Sequence, residues 1–85
     1  MTPPSPLNQA LAHLEASEWQ KAHEIVQKEP ESSTLASWLH GIVHILEGDL
    51  KNARGWYRRA NREFPGADAV PDEIAAARRE LERAG

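Results

Sequence analysis

The chain has 85 residues, 10 Lys or Arg against 13 Asp or Glu for a net charge of -3, and no cysteine. That length fits one small domain, and the missing thiols exclude disulfide staples, thiolate catalysis and cysteine-based zinc sites together. The opening MTPPSP carries neither a basic run nor an apolar stretch, so no signal peptide or membrane contact is expected, and the composition fits a reducing cytoplasm. The charge is uneven along the chain. Before residue 49 two lysines face six glutamates; after it eight Lys or Arg face seven Asp or Glu. An asymmetry this slight gives no reason to expect nucleic acid.

Taken in chain order, Ser5-Pro6 reads as a helix start, with Ser as N-cap and Pro at the first helical position. Leu7, Ala10, Leu11 and Leu14 then repeat at helical spacing, which predicts a first helix over 6–16 with His13 off the stripe and solvated. Ser17-Glu18-Trp19-Gln20 matches the capping-box pattern and predicts a second helix starting at Ser17. Its inner stripe is Trp19, Ala22, His23 and Val26, with Ile25 beside it, and Pro30 ends it. The connector Glu31-Ser32-Ser33-Thr34 offers several N-caps.

The third helix is expected from Thr34 to Glu47. Leu35, Trp38, Leu39, Ile42, Val43, Ile45 and Leu46 form a wide apolar arc, opposite Ser33, Ser37, His40, His44 and Glu47. An arc so wide implies packing on more than one side. Gly48 is the expected left-handed C-cap and Asp49 the N-cap of a fourth helix over 50–63. Leu50, Ala53, Trp56, Tyr57, Ala60 and Phe64 are its inner residues, and Lys51, Arg54, Arg58 and Arg62 make an outer basic stripe that reads as a solvated face. Pro71-Asp72-Glu73 starts a fifth helix, with Pro at its first position and acids in its first turn, over 71–84. Its narrow stripe of Ile74, Ala77, Leu81 and Ala84 suits a lid on a bundle. No strand pattern appears, so the expected fold is all-α: antiparallel helical hairpins, about five helices, in a single domain.

Gly41, Gly48, Ala53, Tyr57, Ala60 and Pro65 fall at the offsets of small, aromatic and closing residues in a tetratricopeptide repeat, which residues 34–65 resemble. Residues 6–30 resemble a shortened, degenerate copy, and 71–84 a terminal cap. Such repeats put a large apolar and an aromatic residue where this chain has His40 and His44. The resemblance therefore implies that both imidazoles point between helices. A closer resemblance rests on Trp19-x3-His23-x3-Gln27, His40-x3-His44-x2-Glu47-Gly48-Asp49, Asn52-Ala53 and Trp56-Tyr57-Arg58-Arg59. Bacterial and fungal members of a family of small proteins share that order; Ile45 and Gly55 depart from its common pattern. This family brings no established activity with it and directs attention to the same residues.

Four readings of those residues follow. His40 and His44 at i, i+4 could chelate a divalent metal such as zinc, completed by His23 or Glu47. The pattern is not the zincin motif, because Gly41 stands where the catalytic Glu must follow the first His. Alternatively, Trp19, His23, His40, His44, Glu47, Asn52, Trp56 and Tyr57 could line a pocket for a polar ligand, with acid–base chemistry open to the histidines. No nucleophile is recognisable, and Ser37 lies near the His face without a motif around it, so the chain reads as non-enzymatic, with no cofactor. Thirdly, the histidines could be structural, bonded to Tyr57, Asn52 and backbone carbonyls. Finally, Leu35, Trp38, Ile42 and Ile45 form an apolar line on which a protein partner could dock. Cover by the C-terminal helix is the preferred fate of that line, and homodimerisation the next. The reading that results is a non-enzymatic binding or scaffold module with a buried His-rich cluster.

Overall fold

Local side-chain caps start three of the helices. Ser5 Oγ accepts the Asn8 N–H at 3.2 Å, Ser33 Oγ that of Ala36 at 3.1 Å, and Asp49 Oδ1 that of Asn52 at 3.2 Å. The computed structural model describes residues 5–30 and 32–84; residues 1–4 and Glu31, both used in the sequence reading, lie outside the described residues. It contains α1 (Pro6–Glu15), α2 (Trp19–Val26), α3 (Thr34–Glu47), α4 (Leu50–Arg59) and α5 (Val70–Ala84), the last preceded by a single 3-10 turn at Ala67–Ala69. The fold is all-α, with no strand among the described residues. None of these helices is long and apolar enough to cross a membrane.

Helix ends follow one device. After α1 the N–H of Ser17 bonds to Leu14 O and that of Glu18 to His13 O, with Ser17 left-handed at φ 62°. After α3 Gly48 and Asp49 bond back to Ile45 and His44 with Gly48 at φ 91°, and after α4 Asn61 and Arg62 bond back to Arg58 and Tyr57 with Asn61 at φ 59°. Each pair satisfies two carbonyls that the helix end would otherwise leave open. This corrects two expectations. Ser17 does not cap α2: it closes α1, and the capping position passes to Glu18, whose side chain makes no cap bond. Likewise α4 stops at Arg59, not near 63, because Asn61 takes the left-handed turn well before Pro65. α2 is shorter too; its last turn tightens into i to i+3 bonds from Lys28 and Glu29 before Pro30 is reached.

Glu18 has a different task. Its carboxylate bonds His13 Nδ1 at 3.0 Å and Lys21 Nζ at 3.2 Å. His13 is accordingly half-buried at the α1–α2 corner, not free in solvent as its place off the stripe suggested.

α3 is the central helix and packs against all four others. Every residue from Ala36 to Ile45 is buried, polar ones included. Leu11 and Leu14 of α1, Ala22 and Val26 of α2, Ala53 and Tyr57 of α4 and Ala77 of α5 complete the core around it. At about 25 cal/mol per Å² of apolar surface removed from water, side chains as large as Trp38 and Leu39 each contribute roughly 2–3 kcal/mol. On the α4 side Gly41 is required. A Cβ there would lie 2.6 Å from the Tyr57 ring, so only glycine lets the edge of the phenol come this close to α3.

The apolar line Leu35, Trp38, Ile42, Ile45 is not an open surface. Trp38, Ile42 and Ile45 are buried and Leu35 is partly covered. α5 closes this side: its Glu73 accepts the Trp38 indole N–H at 3.0 Å. The Arg78 guanidinium anchors α5 to α1 through both Glu15 oxygens, at 2.7 and 3.2 Å, and Asn8 Oδ1. Leu50 is the one large apolar side chain among the described residues that is exposed.

Candidate functional site

The wide apolar arc of α3 leaves a sector in which His40 and His44 repeat at i, i+4, and α2 presents His23 to the same sector. The structure brings the three imidazoles together. One ring nitrogen from each lies within 4.8 Å of the others. His40 and His44 stack with centroids 4.9 Å apart, and His23 stands edge-on to both at 4.9 and 5.3 Å. His40 and His44 are only 6% and 5% exposed, and His23 is half-buried at the mouth of the cluster.

Two further groups fix the rings. The Trp56 indole of α4 lies on His40 with centroids 3.7 Å apart and planes 9° from parallel, and the Arg59 guanidinium caps the other indole face at 4.7 Å. Arg59, Trp56 and His40 thus form one stack, with the His44 centroid 4.9 Å from that of His40. His44 Nδ1 in turn meets Glu47 Oε1 at 3.0 Å. That contact makes Nδ1 the protonated nitrogen and leaves the Nε2 lone pair free.

His23 and His40 have no hydrogen bond among the described residues. Since no fully buried side-chain nitrogen or oxygen there lacks a partner, their unbonded nitrogens reach solvent. A narrow cleft of about 70 Å³ runs beside His40 and Trp56, floored by Ser37 and walled by Val26 and Pro30. Burial, reinforced by His44, His23 and Arg59, lowers the His40 pKa from 6.5 to about 4. His40 is therefore neutral at ordinary pH and offers a lone pair instead of a positive charge.

Not every residue named from the sequence joins this cluster. Trp19 packs against the apolar core from α2. Asn52 is exposed in the first turn of α4, where its backbone N–H bonds to Asp49. Tyr57 turns the other way: its hydroxyl donates to Glu73 Oε1 at 2.7 Å, the same oxygen that accepts from Trp38. Neither Asn52 nor Tyr57 bonds a histidine: Tyr57 turns to Glu73, and Asn52, one turn before Trp56 on the same face of α4, is exposed. Glu47 is at the exposed rim, attached to His44; with Asp49 and His44 it forms a second, more open group of close donors. Ser37, buried along the cleft, makes no hydrogen bond to His40.

Glu73 was missed by the sequence reading, which gave it only a place in a favourable first turn. A signal existed: Glu73 is four residues before Ala77 and so shares the inner face of α5. Burial first, then the bond to Glu73, raises the Tyr57 pKa above the ordinary phenol range, so Tyr57 is a permanent donor. Arg62 covers the outside of this second cluster at 3.5 Å from the Trp38 ring, and Arg54 lies over Phe64 at 5.1 Å. Part of the basic stripe thus rests on aromatic rings.

The chain matches no family model, and neither a curated protein nor a solved structure matches it.

Proposed function

We propose that this chain is a small non-enzymatic binding module, a tetratricopeptide-like helical hairpin whose binding element is the imidazole cluster of His23, His40 and His44. The observation that carries the reading is the convergence of three imidazoles from two helices, two of them without a hydrogen-bond partner among the described residues and one of these, His40, lining a small cleft. Buried polar groups that only stabilise a fold are ordinarily paired, as Trp38 and Tyr57 are. The repeat-like hairpin is supported by the seam at Gly41, where a small residue of the first helix admits the aromatic ring of the second. The family resemblance singles out the same histidines. A peptide groove along the first helix has less support, since α5 occupies it.

The test is imidazole ¹⁵N NMR of the full chain, titrated separately with zinc chloride, inorganic phosphate and acetate. At least one probe moves the His23, His40 and His44 signals saturably and leaves His13, outside the cluster, in place. If none of the three moves the cluster signals, the reading is wrong.

A further inference from the structure

We infer that His23, His40 and His44 form a three-nitrogen site for one divalent transition-metal ion of the zinc, copper, nickel and cobalt group, with Glu47 orienting His44 from its far nitrogen. The inference rests on the reading of this cluster as the binding element and gives that element its ligand class.

Ring spacing comes first. An ion that takes imidazole nitrogens about 2.0 Å away in tetrahedral array places the ring centroids about 5 Å apart. The three centroid distances are 4.9, 4.9 and 5.3 Å. The same array asks for nitrogens about 3.4 Å apart, and they already lie within 4.8 Å of one another. Closure needs rotation at two rings, because an imidazole ligand holds the ion in its own ring plane: His23, half-buried and bound by no hydrogen bond among the described residues, and His44, whose plane lies 21° from that of His40, turn toward the ion while Trp56 keeps His40 in place.

Chelation comes next. His40 and His44 lie one helical turn apart on the most buried helix of the molecule, so two ligands are positioned before any ion arrives. Trp56 fixes the ring plane of His40 and Glu47 the tautomer of His44. A carboxylate on the far nitrogen of a ligating histidine raises its basicity and sets its orientation. Glu47 supplies that group three residues along the same helix.

Ligand chemistry selects the ion. Three imidazole nitrogens without thiolate or carboxylate suit ions of intermediate softness, whereas magnesium and calcium require oxygen. Three protein ligands leave one position of a tetrahedral ion for water or an exogenous donor, which fits a binding element.

The deciding experiment is calorimetric titration of the untagged full chain with zinc, nickel and cobalt, with magnesium as control. The expected result is saturable binding at one ion per chain and no response to magnesium. Bound cobalt(II) should show the visible absorption of a four- or five-coordinate ion. H23Q and H44Q should each weaken zinc at least tenfold, and E47Q about 10- to 100-fold with unchanged stoichiometry. Circular dichroism confirms that each variant is folded, and the wild-type titration decides even where one is not. Absence of one-to-one zinc binding by the wild-type chain, or zinc binding indifferent to H23Q and H44Q in folded variants, overturns the inference. If phosphate or acetate moves the imidazole signals and zinc does not, the metal site is wrong while the binding-module reading stands; if no probe does, both fall.

Discussion

Trp38 and His40 sit two residues apart on α3, on opposite sides of the helix, and open onto two polar clusters built in contrary ways. On the Trp38 side one carboxylate oxygen of Glu73 accepts from both the indole N–H and the Tyr57 hydroxyl, and α5 and Arg62 close over the top. Both buried donors there, the indole N–H and the phenol O–H, are used. On the His40 side three imidazoles lie close together, the only carboxylate bonded to them among the described residues is Glu47 at the rim, and lone pairs are left over. The first arrangement is what a core does with polar groups when they serve only to dock helices. The second keeps donor atoms available at some cost in stability. Adjacent residues of α4 serve the two sides, Trp56 stacking on the imidazoles and Tyr57 reaching Glu73, so the same hairpin supports both.

The contrast breaks most directly at Glu73. Replacing it by Ala leaves two donors of the core without their acceptor, a change expected to cost about 3 kcal/mol. Glu73→Gln, which retains an acceptor, should recover about half of that. Urea denaturation measures both; a cost for E73A no larger than that of an ordinary surface change would show that this cluster is not a lock.

Gly41→Ala comes second. Its added methyl meets the Tyr57 ring, and forcing that ring away should destabilise by about 2 kcal/mol through overpacking and a weakened Glu73 bond. The two losses share one contact, so in a double-mutant cycle G41A with E73A should cost less than the sum of the two. Strict additivity would separate Gly41 from the Glu73 cluster.

The smallest effect belongs to the imidazole side of the metal-free protein and is read against pH. The folded chain holds the His40 pKa at about 4, against 6.5 when exposed, so on acidification the unfolded chain takes up the proton first. Stability is therefore complete above about pH 6.5 and falls as the pH drops from there toward 4. The loss is on the order of 1–2 kcal/mol after allowance for solvent screening. Thermal melts across that window should show the slope, and His40→Phe should flatten it. Glu15 and Glu18, whose carboxyls are held below their ordinary value by Arg78 and by His13 with Lys21, lose their contribution only below about pH 4.5. A slope that appears only there would remove His40 as its source.

Much of this was legible from the chain alone, and the reason is locality. Ser5, Ser33, Gly48 and Asp49 act within one turn of themselves, so their roles as caps follow from neighbours three or four positions away. Ser17 was misread for the same reason. Two local motifs compete for one serine, and the bonds that close α1 prevail over the cap that would open α2. His40 and His44 were expected between helices only through the resemblance to a repeat, and they are buried; cover of the Trp38 line by the C-terminal helix was expected from the width of the apolar arc on α3.

Sequence by itself determined an all-α chain of five helices, where most of them begin, and which polar residues share the face of α3 that carries the histidines, because 3.6 residues per turn relates them directly. Tertiary structure decided what each of those groups meets. That His23 completes the imidazole set, that Tyr57 turns from the histidines to Glu73, and that α5 rather than a partner covers Trp38 depend on how four helices rotate about their axes around α3. Those rotations are fixed by contacts between residues 16 to 35 positions apart, such as Tyr57 and Trp38 with Glu73, which no periodicity encodes.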